Sequence, residues 1–452
     1  MLPQSFERRM RSLLGEEYAA FSASLDEPAV RAFRKNPLKC AEADVSECDF
    51  IMGPVPYVEG GYYIKSGAEG IGNTPEHHAG LIYIQDPGAM ATVASLTELS
   101  GKRVCDLCAA PGGKTSQAAA LIGDDGFILA NEYISKRAKI LVGNIERLGI
   151  KNSLVTSLDT EELAELYENY FDLVIADVPC SGEGMFRKNE LAIAEWSEER
   201  IAQCVCRQEH ILKNAARLTR PGGYLIYSTC TFSTEENELM LAKFLSEQAD
   251  FQLCSVPDAL ISCTAPAVNC EGAPENICLA RRFYPHRSLG EGQFFALLRQ
   301  CLGDGEPRIH FKDSAEVPGK IESKIINDFL NDNLTQIPKG RIIKKGELFS
   351  IIPHDMPIPP RNVLCSGVLL GEIRGRLFLP AHQLFSAFGK LFKRKISLDS
   401  KTAMRYIAGE ELNCDCRESG YCALIYKGAA LGGGKISSGK IKNHYPKGLR
   451  HR

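Results

Sequence analysis

The chain has 452 residues, of which 44% are hydrophobic, enough for at least one full core and roughly two to four domains. Its formal net charge of −3 excludes a polycation, although such an average can hide local basic patches. The polar, basic first residues and the lack of any apolar run near the ~20 residues that span a bilayer predict a cytoplasmic protein without membrane helix or signal peptide. Seventeen cysteines without a repeating spacing indicate reduced thiols rather than a disulfide framework.

Residues 1–84 are predicted to form a small N-terminal module of mixed structure. Helical patterns cover residues 5–14 and 16–24, and a glycine- and tyrosine-rich stretch follows. A basic cluster surrounds Asn36-Pro37 and consists of Arg31, Arg34, Lys35 and Lys39. Basic clusters are typical of surfaces that contact phosphates, so we expect this module to bind RNA.

Residues 85–303 show short, almost continuously apolar runs that alternate with helical patterns. The predicted strands are 104–108, 127–131, 153–157, 173–177, 225–228, 251–256 and 294–298. The predicted helices are 115–122, 135–148, 201–218 and 235–248, the last with Ser233-Thr234 as its N-terminal cap. This alternation predicts an α/β fold with a mostly parallel, doubly wound, Rossmann-like sheet.

The last third of the chain differs in composition. Past residue 300 it is richer in Gly, Asp, Glu and Pro, which predicts a linker and an intermediate small domain at 304–380, followed by a β-containing domain at 381–452. This last domain is basic, and no acid follows Glu418. Its cations are Lys390, Lys393, Arg394, Lys395, Lys401, Arg405, Lys440, Lys442, Lys447, Arg450 and Arg452. They form either a solvated surface or a face that contacts RNA phosphates.

A glycine-containing loop follows the first strand of the predicted sheet. It is not a nucleotide triphosphate loop, because Cys108 stands where that motif needs a glycine, and it lacks the pattern of dinucleotide folds. The loop residues are Cys108, Ala109, Ala110, Pro111, Gly112, Gly113 and Lys114. The loop is either a plain strand-to-helix turn or a close approach of backbone to a ligand. Cys105 and Cys108 have the gap of a metal pair, but no matching cluster follows, and we predict no metal site.

Three acidic residues follow successive strands of this sheet. Glu132 can accept the hydroxyls of a ribose, and Asp159 can meet the exocyclic amine of adenine. A solvated strand end or a helix cap is the alternative for each acid alone. The ordered set of loop, Glu132, Asp159 and Asp177 predicts an S-adenosylmethionine pocket.

Two cysteines also come just past predicted strands. Cys180 follows the fourth strand and Cys230 the fifth, so both project from the edge of the sheet that holds the cofactor. Attack of a thiolate on carbon 6 of cytosine makes carbon 5 able to accept a methyl group, and Asp177 could hydrogen-bond the ring nitrogen and amino group. The alternative is that both are buried structural cysteines.

Several strings in the sequence resemble the motifs of the Sun-family RNA (cytosine-5)-methyltransferases. The similar strings are 109–114 (AAPGGK), 177–185 (DVPCSGEGM) and 228–231 (STCT) in the core, 34–39 (RKNPLK) and 83–90 (YIQDPGAM) before it, and 284–287 with 290–298 at its end. The string 442–450 (KNHYPKGLR) resembles the end of the RNA-binding domain of the bacterial ribosomal-RNA branch. Val178 and Gly88 depart from the family's more usual Ala and Ser.

The resemblance implies roles for the matching residues. Cys230 would be the nucleophile, Cys180 would assist release of the product, and Asp177 would orient the base. The loop 108–114, Glu132, Asp159 and Asp177 would hold S-adenosyl-L-methionine. The expected partner is ribosomal RNA or the small ribosomal subunit, with the protein acting as a monomer.

Other functions remain open. A DNA cytosine methyltransferase would lack the Thr-Cys thiol, and an exocyclic-amine methyltransferase would have Pro-Pro-aromatic in place of 178–180. Transfer RNA is an alternative substrate. A ribosome-assembly factor whose methyl transfer is secondary is the alternative that is not primarily an enzyme.

Overall fold

The computed structural model describes residues 2–40, 45, 48–96, 98–301, 305–415 and 418–450. Within these ranges a ten-stranded central sheet is accompanied by two four-stranded sheets, one five-stranded sheet and a two-stranded ribbon. The predicted domain boundary at 303/304 and the predicted RNA contact Arg452 lie outside the described residues. In the described part of the chain, no helix combines the length and apolar character needed to cross a bilayer.

The helices are distributed over the whole chain. They are α1 Gln4–Leu14, α2 Tyr18–Asp26, α3 Pro37–Cys40, α4 Pro75–His78, α5 Pro87–Ala94, α6 Gly113–Ile122, α7 Ser135–Leu148, α8 Thr160–Leu166, α9 Glu190–Ala194, α10 Glu198–Leu218, α11 Glu238–Glu247, α12 Asp258–Cys263, α13 Lys320–Asn333, α14 His382–Phe388 and α15 Ser400–Ile407.

The strands of the first two thirds of the chain are β1 Ala32–Lys35, β2 Ile51–Pro54, β3 Gly61–Ile64, β4 Ile82–Ile84, β5 Arg103–Asp106, β6 Phe127–Asn131, β7 Ser153–Thr156, β8 Tyr167–Glu168, β9 Phe171–Asp177, β10 Thr219–Thr229, β11 Phe251–Cys254, β12 Ala265–Pro266, β13 Arg281–Phe283 and β14 Gln293–Gln300. Those of the last third are β15 Arg308–Ile309, β16 Arg341–Lys345, β17 Leu348–Ile352, β18 Val363–Ser366, β19 Val368–Arg374, β20 Leu377–Pro380, β21 Lys395–Leu398, β22 Leu412–Asn413, β23 Gly420–Tyr426, β24 Ala429–Ser437 and β25 Lys440–Asn443.

The central sheet confirms the predicted doubly wound fold. Five strands are parallel in the order β7-β6-β5-β9-β10, and β14 runs antiparallel beside β10. β6 is buried along its whole length, as expected of a strand covered by helices on both faces. Because the order reverses between β5 and β9, a crevice for a ligand lies beyond the carboxyl ends of these two strands.

One end of the sheet is completed by an unexpected strand. β18, from the region predicted as linker and intermediate domain, pairs antiparallel with β7, where Ser366 lies opposite Leu154. The remaining strands of that region form the sheet β16-β17-β19-β20. The intermediate region is therefore joined to the catalytic sheet through the backbone, which the sequence pattern did not indicate.

The N-terminal module is built around the sheet β2-β3-β1-β4, and its basic cluster differs from the prediction. Arg34 and Lys39 are only 6% and 5% exposed, so they do not form a phosphate-contacting surface. Lys39 Nζ instead donates to Ser386 O at 2.6 Å and to Ala430 O at 2.8 Å in the C-terminal domain. Burial lowers the pKa of Lys39 to about 7. These two cations connect parts of the fold.

The C-terminal domain shares a hydrophobic core with this module. Phe33 and Ile82 of the N-terminal sheet belong to the same buried cluster as Tyr406 and Leu424 of the five-stranded sheet β21-β23-β24-β25-β22. Tyr426 Oη adds a hydrogen bond of 2.7 Å to Glu76 Oε1. The two ends of the chain are thus packed against each other.

Candidate active site

The loop after β5 continues the hydrogen bonding of the sheet and then turns sharply into α6. Leu107 N–H donates to Ile175 O and Ala109 N–H to Asn131 O, both at 2.9 Å. Gly112 has a φ of +113°, and a Cβ atom there would lie 3.0 Å from a Leu141 methyl carbon. Only glycine suits this position, and the turn presents the positive N-terminus of α6 to the crevice.

A cavity of about 310 Å³ lies at this crevice. From the predicted site it is lined by Cys108, Ala109, Ala110, Pro111, Gly113, Lys114, Asp177 and Cys230. Its other lining residues include Tyr83, Gln85, Asp86, Asp106, Met185, Glu291 and Gln293. Gly112, Glu132, Asp159 and Cys180 are not among the lining residues.

Asp177 and Lys114 form the charged centre of the cavity. Lys114 Nζ lies 2.8 Å from Asp177 Oδ2, and the Ser228 hydroxyl donates to Asp177 Oδ1 at 2.6 Å. Asp177 is the last residue of β9 and Ser228 lies opposite it on β10, so the sheet register itself brings the two together. The Asp177 carboxylate is therefore held in one orientation while about a third of it remains exposed.

Asp106 adds a second, deeper carboxyl group that sequence reasoning did not assign to the site. Its Oδ2 accepts a hydrogen bond of 2.7 Å from Thr115 Oγ1, whereas its buried Oδ1 has no partner among the described residues. Burial, reinforced by the nearby Asp177 carboxylate, raises the pKa of Asp106 to about 7. An orphaned acceptor of this kind fits the amino group of an amino-acid-like ligand.

Glu132 lies immediately after β6 and is buried. Its Oε1 accepts from Ile134 N–H at 3.0 Å. Its Oε2 lies 3.3 Å from Arg137 Nη1 as an ion pair, yet accepts no hydrogen bond from the described residues. An open carboxylate oxygen at a strand end fits the ribose hydroxyl predicted for it.

Asp159 has a local structural role. It is the N-terminal cap of α8, where its Oδ1 accepts from Glu161 N–H at 2.8 Å. The same oxygen lies 3.4 Å from His210 Nε2, and the Asp159 side chain is 44% exposed. Asp159 is therefore a helix cap, and an adenine amine would have to compete with Glu161 N–H for its carboxylate.

The two cysteines lie against each other, and Cys230 lines the cavity. Cys180 Sγ is 3.3 Å from Cys230 Sγ, and Cys230 N–H also points to Cys180 Sγ at 3.3 Å. The hydrogen bond with Cys230, aided by burial, raises the pKa of Cys180 well above its usual value. Cys180 therefore holds its proton and can donate it to the sulfur of Cys230.

Asp86 and Glu291 line the cavity, and sequence reasoning missed both residues; a neighbouring cation holds each of them. Lys188 Nζ lies 2.7 Å from Asp86 Oδ2, and Arg187 Nη2 donates to Glu291 Oε1 at 2.9 Å. A Cβ atom on Gly184 would lie 2.4 Å from Gly292 O, so the cysteine loop crosses the start of β14 at backbone contact. The family-like strings 83–90 and 290–298 contain Asp86 and Glu291, but the resemblance assigned no role to either residue.

Fold, glycine loop and acidic strand ends together define an S-adenosylmethionine-dependent methyltransferase of the Rossmann-like class. Comparison with known proteins narrows this class. Residues 93–299 match the model of the 16S rRNA methyltransferase RsmB/F family, residues 2–87 that of the N-terminal domain of 16S rRNA methyltransferase RsmF, and residues 393–451 that of the methyltransferase RsmF PUA domain. The chain belongs to the 16S rRNA methyltransferase RsmB/F family.

Relatives of full length support this placement. The chain is 30% identical over 482 residues to ribosomal RNA small subunit methyltransferase F of Aeromonas salmonicida, covering 99% of this chain and 97% of the relative. The protein of the same name from Vibrio vulnificus is 29% identical over 468 residues with the same coverage.

Solved structures resemble two thirds of the chain. A methyltransferase homolog protein from Pyrococcus horikoshii is 30% identical with a TM-score of 0.58, covering 66% of this chain and 95% of that one. NSun6 from the same organism, solved with SFG, shares the fold at 21% identity and a TM-score of 0.56, covering 67% of this chain and 99% of that one.

Proposed function

We propose that this protein methylates carbon 5 of a cytosine in small-subunit ribosomal RNA through a covalent bond between Cys230 and the base. The observation that carries the proposal is the pair of thiols 3.3 Å apart beside the Lys114–Asp177 pair. A methyltransferase acting on an exocyclic amine has no use for two adjacent sulfur atoms, whereas covalent catalysis at the ring requires one to attack and another group to assist release.

The Lys114–Asp177 pair, which lines the cavity, orients the target cytosine. Asp177 Oδ2 can accept from the amino group of cytosine, and Lys114 stabilises the negative charge that the ring gains when a thiolate adds to carbon 6. Ser228 keeps the carboxylate turned toward the ring. Because the base must enter a cavity to reach Asp177, the nucleotide has to be extruded from its helix.

The cofactor is expected at the loop 108–114, next to the α6 N-terminus. Asp106 would accept from its amino group, and Glu132 would accept from its ribose. S-adenosylmethionine supplies an electrophilic methyl group, which carbon 5 of the activated ring can take. Asp159 remains a proposed contact to adenine.

Cys180 is suited to the release step. Its raised pKa depends chiefly on the hydrogen bond to Cys230. Once the Cys230 sulfur is bonded to carbon 6, that bond is lost, and the Cys180 proton can pass to solvent. The Cys180 thiolate then removes the proton from carbon 5, the electron pair forms the carbon 5–carbon 6 double bond, and Cys230 leaves as a thiolate.

The substrate is assigned from the relatives and from surface charge. Two named relatives are small-subunit ribosomal RNA methyltransferases. In the C-terminal domain Lys435 lies 5.4 Å from the ring of Tyr421, and Lys440 and Lys442 are exposed on the same hairpin, a combination that suits single-stranded RNA. We also propose a monomer as the working unit.

Two experiments test the proposal. Transfer of labelled methyl to small subunits, naked ribosomal RNA and transfer RNA should yield 5-methylcytidine in ribosomal RNA alone. Label only in transfer RNA would identify transfer RNA as the substrate. No label despite cofactor binding would favour the assembly-factor alternative. In the second, Cys180→Ala should accumulate a protein–RNA complex stable on denaturing gels, whereas Cys230→Ala should form none. The reverse pattern would make Cys180 the nucleophile.

A further inference from the structure

We propose that Glu236 and Glu183 share a single proton through the hydroxyl groups of Ser181 and Thr231, and that this hydrogen-bonded chain positions the two cysteines. Ser181 follows Cys180 directly, and Thr231 follows Cys230 directly. We call these four residues the Glu236–Glu183 chain. The inference rests on the proposed function, because it concerns how the two thiols are held at reacting distance.

The proton count is the central argument. Three oxygen–oxygen contacts link the chain: Glu236 Oε1 with Ser181 Oγ, Ser181 Oγ with Thr231 Oγ1 at 2.8 Å, and Thr231 Oγ1 with Glu183 Oε2 at 2.9 Å. Each contact needs one hydrogen. The two hydroxyl groups hold only two, so the third must sit on one of the carboxyl groups.

The other contacts of each carboxyl group indicate where this proton resides. Glu236 Oε2 already accepts from Ser181 N–H and Gln208 Nε2, both at 2.9 Å, which leaves Oε1 free to carry the proton. Glu183 accepts from Trp196 Nε1 at 2.9 Å and from Phe232 N–H at 3.0 Å, so its oxygens are surrounded by donors. The shared proton therefore resides on Glu236 rather than on Glu183.

Burial makes the missing hydrogen costly. Each member of the chain is at most 4% exposed, so water cannot take the place of a hydrogen bond. If both carboxyl groups were ionised, each hydroxyl would donate to its own carboxylate, and Ser181 Oγ and Thr231 Oγ1 would face each other at 2.8 Å without a hydrogen between them. The loops that carry Cys180 and Cys230 would then repel.

The electrostatic surroundings agree with this assignment. Burial, together with the Glu183 carboxylate, raises the pKa of Glu236 to about 7, and burial also raises the pKa of Glu183. The titratable groups that face Glu236 are Glu183, Cys180, Cys204 and Tyr227. None of them is a cation, although Arg9 acts on Glu183 from α1. The proton is therefore lost as the pH rises through about 7.

Hydrogen bonds from Asn237 and Gln208 explain why the Glu236–Glu183 chain sets the geometry of both thiols. Asn237 Oδ1 accepts from Thr229 Oγ1 at 2.7 Å, and Asn237 Nδ2 donates to Thr231 O at 3.0 Å, so it holds the backbone on both sides of Cys230. Gln208 Nε2 likewise donates to Pro179 O at 3.0 Å, just before Cys180. With each loop fixed from behind, the Ser181–Thr231 contact decides the distance between the sulfur atoms.

The test uses Glu236→Gln, which is permanently neutral and can still donate to Ser181, and Glu235→Gln as its matched control. Glu235 pairs with Arg9 at 2.5 Å and accepts from Ser233 Oγ at 2.9 Å. Within the described residues it makes no hydrogen bond to residues 179–182 or 228–231. Infrared difference spectra should show a protonated carboxyl group in the wild-type protein and in Glu235→Gln at pH 6. Because the pKa of Asp106 is also raised to about 7, all spectra are recorded in proteins that carry Asp106→Asn as well. The signal should then disappear with a midpoint near pH 7, and the protein with Glu236→Gln should lack it between pH 6 and 8.5.

The catalytic readout is the rate at which the covalent RNA adduct resolves in a single turnover. Between pH 6 and 8.5 we expect the ratio of the wild-type resolution rate to the Glu236→Gln resolution rate to fall by about tenfold. A displaced reacting group predicts a loss of this kind. Thr231→Val should slow resolution at least about tenfold at all pH values without changing the KM for RNA. Folding of each variant is checked by the fluorescence of Trp196, the single tryptophan.

The outcomes separate this inference from the proposed function. No protonated carboxyl group at pH 6 in the wild type, or the same pH dependence in Glu236→Gln as in wild type, would overturn the shared proton. Absence of any adduct in Cys180→Ala would overturn the proposed function instead. The infrared result would still show whether Glu236 and Glu183 share a proton. If Thr231→Val does not fold, the comparison of Glu236→Gln with Glu235→Gln decides.

Discussion

Arg34 offers a direct test of whether the N-terminal basic motif supports the fold or contacts RNA. Its Nε donates to Gln85 Oε1 at 2.7 Å, and its Nη2 donates to Gly113 O at 2.8 Å and Ser116 Oγ at 2.9 Å. These bonds connect β1 of the N-terminal module with the first turn of α6, which forms part of the proposed cofactor site. Arg34→Met keeps much of the side-chain volume and removes all three donors.

The expected loss follows from these contacts. A hydrogen bond to a charged group contributes about 1.5–3 kcal/mol, so three represent roughly 4–9 kcal/mol before any offset. Two effects reduce this figure. Gly113 O keeps a hydrogen bond of 3.0 Å from Ser116 Oγ, and the variant no longer buries a guanidinium, a burial that lowers the pKa of Arg34 to about 10. We expect a net loss of about 3 kcal/mol in the free energy of unfolding.

The assay is urea denaturation followed by the fluorescence of Trp196, which is buried near the cysteine loops. Arg31→Met is the control. Within the described residues the one hydrogen bond of the Arg31 side chain is a long one of 3.4 Å to Ala68 O, and its loss should cost less than about 1 kcal/mol. The salt dependence of RNA binding should be the same in both variants. A loss below about 1 kcal/mol in Arg34→Met, with a salt slope reduced by about one, would refute this reasoning and restore Arg34 as a phosphate contact.

Three further predictions concern the cavity and the C-terminal hairpin. The raised pKa of Asp106 favours the folded state at low pH, and this contribution is lost as pH rises through about 7. Asp106→Asn should therefore stabilise the ligand-free protein at pH 8 by up to about 4 kcal/mol and have little effect at pH 4, as measured by thermal unfolding; equal effects at both pH values would contradict this. Hydrogen peroxide should join Cys180 and Cys230 in a disulfide, since their sulfurs are 3.3 Å apart, and mass spectrometry should find this link with activity restored by a thiol reductant; a different cysteine pair would argue against it. Replacing Lys440 and Lys442 by Ala should reduce the slope of log affinity for RNA against log salt by about two and leave cofactor affinity unchanged, and an unaltered slope would make the hairpin a solvated surface.

The central sheet was predictable because its strands are buried on both faces. The bounds predicted for β6 and α7, 127–131 and 135–148, are those observed. The start of α11 was wrong: the helix begins at Glu238, not at 235, and its N-cap position is Asn237. Glu236 and Asn237 use their side chains to hold the cysteine loops, and such tertiary hydrogen bonds override a local capping pattern.

Other features depend on contacts that charge and periodicity do not encode. Arg34 and Lys39 carry the same charge whether they face solvent or a neighbouring module, so a basic cluster alone cannot reveal their burial. β18 is short, partly exposed along its length, and defined by its pairing with β7 rather than by its own pattern. The motifs predicted part of the cavity lining, such as Lys114, Asp177 and Cys230, but not Asp106 or Glu291. The distance between the sulfur atoms of Cys180 and Cys230 depends on the relative position of two loops, which the sequence does not give.

The pairing of β18 with β7 also bears on how the protein is made. When the ribosome has released residues up to about 300, the parallel strands can assemble, but the outer side of β7 still presents unpaired backbone groups. That open edge is closed only when residues 363–366 emerge, well after the chemistry-bearing loops. A nascent chain halted between these points would carry a nearly finished catalytic centre together with an exposed strand capable of pairing with another copy. We therefore expect truncations ending near residue 305 to aggregate, and a complete chain to depend on prompt synthesis of its intermediate region.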